Sequence, residues 1–189
     1  MFKIALVGDS GVGKSSIVLR LAEDRFTISS CTVGYDFKKC VVYSTLGYKT
    51  ELTLCDTAGD ERFNTCILSC CRKAHGVILV YDLTCKKSFM NIERVWLDQV
   101  RENCDDRTVL ILIGHKIDSE NTEVTTQEGR DLARKHGMLF AECSSKTGDG
   151  VVIAIRALLD SLLNTWSKDD YKPTIVLQSR RPAVWTCGC

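Results

Sequence analysis

Apolar residues recur along the chain in short blocks of two kinds. The runs Lys3–Val7, Lys38–Tyr43, Glu51–Cys55, Val77–Tyr81, Thr108–Ile113 and Met138–Glu142 are brief and rich in Val, Ile and Leu, which predicts strands. Between most of them lie stretches with helical spacing. Ser16–Leu21 is one; Ile92, Val95, Trp96 and Val100 mark a second; Val152, Ile155, Leu158, Leu159 and Leu162 mark a third. Leu46-Gly47-Tyr48 predicts a hairpin turn between the second and third strands. Alternation of this kind implies an α/β fold: a mostly parallel six-stranded sheet with one antiparallel strand and helices on both faces. From about Ser167 the periodicity stops, and Lys168–Thr186 reads as a polar tail. The expected division is therefore a domain over 1–166 and a flexible segment over 167–189.

Composition narrows the class. A chain of 189 residues, 44% hydrophobic, is one domain with enough apolar mass for a core. A net charge of +1 gives no bulk attraction to nucleic acid, which is not expected as a partner, or to anionic lipid. No apolar run approaches the ~20 residues of a membrane span. Met1–Val7 is too short to be a secretion signal. The 11 cysteines are therefore expected to be reduced thiols, several acting as small hydrophobes, as Cys40 does beside Val41 and Val42. Cys66, Cys70, Cys71 and His75 have a spacing that raises the question of a metal, but structural zinc sites usually draw on two separated pairs of ligands.

The chemistry starts at Gly8-Asp9-Ser10-Gly11-Val12-Gly13-Lys14-Ser15, which fits G-x-x-x-x-G-K-[ST]. A predicted strand leads in and a predicted helix leads out. Glycines let the backbone wrap an anion, and successive N–H groups and the helix dipole face the phosphates. Lys14 would reach the outer phosphates and the Ser15 hydroxyl would ligate Mg2+. This is the mark of a phosphate-loop NTPase fold. Asp56-Thr57-Ala58-Gly59 follows the third strand, where an acid can hold Mg2+ and a glycine N–H can approach the terminal phosphate. Gly114-His115-Lys116-Ile117-Asp118 follows the fifth. A carboxylate at Asp118 can accept from the N1–H and exocyclic amine of guanine, a donor pair that adenine lacks. An ATP-using enzyme is disfavoured on that ground. Ser144-Ser145-Lys146 follows the sixth strand, where a backbone N–H could meet the guanine carbonyl.

With these segments in view, the chain resembles a Ras-superfamily small GTPase, and among these a Rab. The resemblance rests on GDSGVGKSS, on TVGYDF (Thr32–Phe37), and on DTAGDERF, GHKID and SSKTG, with Cys187-Gly188-Cys189 similar to the Rab C-x-C ending. The run Lys116–Asp149 looks most like the subgroup associated with endoplasmic reticulum and lipid droplets. The resemblance implies a GTP/GDP-regulated switch in vesicle trafficking, with GTP/GDP and Mg2+ as cofactors. Ser10, Gly11, Val12, Gly13, Lys14, Ser15 and Ser16 would contact the phosphates, and Ser15, Thr32 and Asp56 the metal. Thr32 and Gly59 would also reach the γ-phosphate. His115, Lys116, Asp118, Ser144, Ser145 and Lys146 would form the base site, with Phe26 packed over the guanine edge. Lys14, Thr32 and the position of Asp60 would carry hydrolysis. Geranylgeranyl groups on Cys187 and Cys189 would anchor the chain to the cytoplasmic face of an endomembrane, with a cytosolic pool. Rab escort protein and GDP-dissociation inhibitor are the implied partners.

The chain also departs from the family pattern at four places. Asp60 stands where Gln usually orients the attacking water; an ionised Asp only accepts hydrogen bonds, and its loss of that contact implies hydrolysis slower by roughly 10²-fold. His115 stands where Asn ties the base loop to the phosphate loop, which implies weaker nucleotide binding by about 1–3 kcal/mol. The segment between Phe26 and Thr32 is one residue short. At the partner-facing surface Phe37 is kept, while Cys55 and Cys70 replace aromatics, with a narrow set of effectors as the consequence. Two readings stand at this point: a working membrane-anchored switch, or a non-cycling interaction module that is GTP-locked or binds nucleotide poorly.

Overall fold

In a computed structural model of the protein, residues 1–27, 34–57 and 69–166 are described, together with the backbone of 174–175. The positions Thr32, Gly59, Asp60, Cys66, Cys187 and Cys189 lie outside them. The chain runs β1 (Phe2–Val7), α1 (Lys14–Glu23), β2 (Tyr35–Tyr43), β3 (Tyr48–Thr57) and β4 (Gly76–Asp82). It continues with α2 (Lys86–Asn91), a π-helical segment (Ile92–Trp96), α3 (Leu97–Asn103), β5 (Val109–His115), α4 (Thr126–His136), β6 (Leu139–Cys143), α5 (Val151–Thr165) and β7 (Thr174–Ile175).

The strands form one sheet in the order β2-β3-β1-β4-β5-β6. Only β2 along that path is antiparallel to its neighbour, as expected from the hairpin at Leu46-Gly47. Helices cover both faces, which is why the central strands read as continuous apolar runs rather than alternating ones. Ile4 and Leu6 of β1 pack with Ile17, Val18 and Leu21 of α1 and with Ile155, Leu158 and Leu162 of α5. Ala5 and Val7 point the other way, into a second core with Ile92, Trp96, Leu97, Val100, Leu132 and Ala133.

The structure differs from the sequence expectation at three places. Strands β4 and β5 run on to Asp82 and His115 because ladder hydrogen bonds do not require apolar side chains; Asp82 pairs with His115, and His115 with Cys143. The second helical stripe is interrupted by the π segment, where Leu97 N–H donates to Ile92 C=O, five residues back. In the stretch expected to be a tail, Thr174–Ile175 pairs antiparallel with Tyr48 and Lys49 at the exposed start of β3.

Local chemistry fixes the ends of α4. Thr125 and Glu128 form a reciprocal capping box, and Gly137 ends the helix with a left-handed φ of 69°.

Candidate functional site

Parallel strands in register deliver their exits to one edge of the sheet. Asp82, His115 and Cys143 are level with one another, so Leu83, Lys116 and Ser144 emerge side by side, and the loop after β1 opens beside them. Ligands bind beyond the carboxyl ends of strands in such sheets, and the described residues of the glycine loop and of the segments after β5 and β6 gather there.

The loop Gly8–Ser15 is a tight wrap. Gly11 and Gly13 have φ of 78° and 105°, conformations that L side chains rarely adopt, and a Cβ on Gly13 would overlap the His115 ring. Lys14 is buried; its Nζ donates to Gly8 O and Asp9 O, each at 2.7 Å, and so spans the loop. Asp56 is also buried and is level with Leu6 across the β1–β3 ladder. Thr57 Oγ1 donates to Leu6 O at 2.6 Å and fixes the end of β3 against β1. Ser15 and Asp56 supply the hydroxyl and carboxylate oxygens that suit a hard divalent cation, and the wrap is open at Gly11, where nothing lies within 4 Å of a Cβ position, so the residues present fit phosphate and Mg2+.

His115 joins the two halves of the site. Its Nδ1–H donates to Val12 O at 2.7 Å, while its Nε2 accepts from Ser145 N–H at 3.1 Å and lies 2.9 Å from Ser145 Oγ. These bonds define a neutral ring, and burial holds its pKa below the ordinary value. The tie between phosphate loop and base loop, assigned by the resemblance to Asn, is thus made by imidazole. Both ring nitrogens are spent on protein, and none is left to donate to a base.

Around it, Lys116 adopts a left-handed φ of 68° and its Nζ pairs with Asp82 Oδ2 at 2.5 Å. Asp118 Oδ1 accepts from Ser144 Oγ at 2.6 Å, and Lys146 Nζ lies 3.4 Å from Oδ2. The Ser144 hydroxyl comes first among the causes that hold the Asp118 carboxyl below its ordinary pKa. Phe26 is exposed nearby in sequence, after the end of α1.

Two participants were not singled out from the sequence. Arg20 on α1 donates from Nε to Ser145 O at 2.8 Å and from Nη2 to Lys146 O at 3.0 Å, clamping the base loop to the helix that starts in the phosphate loop. Asp82 receives Lys116 and also Thr84 N–H and Oγ1. Its place at the end of a strand, like that of the other motifs, was the available signal.

The three positions expected at the partner-facing surface differ in exposure. Phe37 is exposed, edge-on to Tyr35. Cys55 and Cys70 are fully buried rather than on the surface, and they are joined by a disulfide rather than left as thiols. The chain returns to β3 after 15 residues with the two Cα atoms 6.2 Å apart, a span that a disulfide bridges. His75 is engaged by Lys3 N–H at 2.9 Å, and no cluster of three or more metal-ligating side chains occurs among the described residues.

Comparison with known proteins agrees with this geometry. The Ras family model matches residues 3–164. Ras-related protein Rab-18 of Lymnaea stagnalis is 46% identical, the match covering 99% of this chain and 94% of that one. Rab-18-B of Danio rerio is 42% identical over 95% of this chain and 89% of its own length. SEC4 of Saccharomyces cerevisiae is 45% identical over 80% and 70%. With the phosphate loop, the base loops and the sheet order in agreement, the chain belongs to the Rab family of Ras-related small GTPases and is related to the Rab18 subgroup.

Proposed function

We propose that this GTP-binding trafficking protein is a slow, nucleotide-retaining switch whose base site is intact despite His115. The carrying observation is the imidazole bridge from Val12 O to Ser145 N–H, which holds phosphate loop and base loop as one frame. Lys14, gripped by two loop carbonyls, presents its charge where outer phosphates would lie. Ser10–Ser16 would bind the phosphates, and Lys116, Asp118, Ser144, Ser145 and Lys146 the guanine. Mg2+, held by Ser15, Asp56 and Thr32, would neutralise charge on the β- and γ-phosphates.

Thr32 and Gly59 would respond to the γ-phosphate, and Asp60 would set the rate. Its carboxylate is one methylene shorter than Gln and cannot donate, so water is poorly oriented. The Cys187-Gly188-Cys189 motif would take two geranylgeranyl groups, and two chains meet the requirement for stable anchoring to the cytoplasmic face of an endomembrane. Handling by an escort protein and a GDP-dissociation inhibitor would follow.

The test is to purify the protein with Mg2+, denature it and identify the released nucleotide, then to compare single-turnover hydrolysis with that of Asp60→Gln. Near-stoichiometric guanine nucleotide and a gain of roughly 10²-fold in Asp60→Gln support the reading. An empty protein, or an Asp60→Gln variant no faster than the parent, overturns it. Bound GTP rather than GDP would favour the non-cycling module.

A further inference from the structure

The π segment Ile92–Trp96 changes which side chains share a face. In an α-helix, positions five apart diverge by about 140° around the axis. In the wide turn, where residue i+5 bonds back to residue i, they stack instead. Asn91 and Trp96 are five apart, and both donate to the same carboxylate. Asn91 Nδ2 reaches Asp9 Oδ2 at 2.7 Å, and Trp96 Nε1 reaches Asp9 Oδ1 at 2.6 Å. Trp96 is otherwise buried in the core between sheet and helices, so its ring is fixed before its N–H is used. Asp9 is the second residue of the phosphate loop, and its own carbonyl is one of the two that grip Lys14.

The geometry points to a clamp on nucleotide release: Asn91 and Trp96, brought onto one face by the π turn, are positioning residues that hold Asp9, and through it the phosphate loop and Lys14, in the phosphate-binding shape. This rests on the reading of Gly8–Ser15 as the phosphate site. Both carboxylate oxygens are taken on the helix side by directed donors, and hydrogen bonds to an ionised acceptor are the strong ones. Without them the carboxylate and its carbonyl can rotate together, and the Lys14 grip loosens with them. The wide turn thus serves two ends at once: it brings Ile92 and Leu97, also five apart, into one core, and Asn91 and Trp96 onto one carboxylate.

The test is a double-mutant cycle on the release of a fluorescent ribose-labelled GDP from the full chain, using Asp9→Asn, Asn91→Ala and the pair. Each single change should speed release about tenfold, the equivalent of one hydrogen bond to a charged group, with and without chelation of Mg2+. The pair should be no faster than Asp9→Asn, because both changes break one unit. Single variants within twofold of the parent, or factors that multiply fully in the pair, overturn the clamp while leaving the phosphate site standing. A parent protein that retains no guanine nucleotide overturns both.

Discussion

Two histidines stand at opposite ends of the sheet and do opposite kinds of work. His115 ends β5 at the carboxyl edge and bonds to two loops that have no ladder between them. His75 precedes β4 at the amino edge, where its Nδ1 accepts from Lys3 N–H and its ring meets Phe2 and Trp166 edge-on, with centroids 5.3 and 4.7 Å away. Arg107 covers the Trp166 ring at 4.1 Å. One edge is closed by aromatic packing. The other is kept open by hydrogen bonds, because glycine-rich backbone must stay exposed to an anion and cannot be covered by side chains. The lesson is that the same imidazole serves as mortar at one edge and as a hinge pin at the other, according to what its nitrogens face.

The comparison breaks most severely at Gly13. Ala there must adopt a φ of 105° and displaces the His115 ring. Gly13→Ala should weaken GDP binding by more than about 10²-fold and lower thermal stability, checked by titration and calorimetry. Combining it with His115→Ala should recover part of the stability but not the binding, because the steric overlap is relieved while the bridge is lost.

A direct contrast comes next. His115→Ala leaves Val12 O and Ser145 N–H without their partner and should cost about 2 kcal/mol or more, with faster nucleotide release. His75→Ala should lower denaturant stability as well, yet leave release unchanged, since its neighbours lie at the far edge. Equal effects of the two on release would erase the distinction. His115→Asn, whose amide has two N–H donors, should slow release relative to the parent.

The smallest effect is that of pH. Burial comes first among the causes that depress both imidazoles below the ordinary value of 6.5; at His75 the N-terminus and Arg107 add to it, and at His115 Lys116 adds to it against the Val12 hydrogen bond and the charges of Asp82 and Asp118. The unfolded chain therefore takes up protons first as pH falls. Stability from these rings is complete above about 6.5 and is lost between there and their lower folded pKa values. Denaturant midpoints should drop over that window, and less so in His75→Phe. At His115 protonation also removes the acceptor for Ser145 N–H, so release should quicken over the same range, whereas His75 should have no such effect.

Much of this was legible in the chain itself. Strand runs, the glycine loop, the acid near the end of β3 and the motifs around the ends of β5 and β6 are local patterns, although β3 runs on through Asp56 to Thr57 rather than ending at Cys55. The Arg20 clamp, Asp82 and the Asn91–Trp96 pair were not legible. Their partners lie far away in sequence, and a helical stripe of apolar residues looks the same whether one turn is α or π. The Cys55–Cys70 pair was not legible for a related reason. Cys55 and Cys70 look like replacements on a surface until the chain return buries them against each other.

The sequence alone determined the glycine loop, the place of Asp118 just beyond β5 and the alternation that builds the sheet, because each depends on residue type at short spacing. Tertiary structure decided what His115 does. Read in one dimension it is a lost amide. In the fold it lies between Val12 and Ser145, 103 and 30 residues away along the chain, and becomes the bridge. The physical reason is that a hydrogen bond depends on where its partner is placed, and only the register of β1, β4, β5 and β6 places those partners.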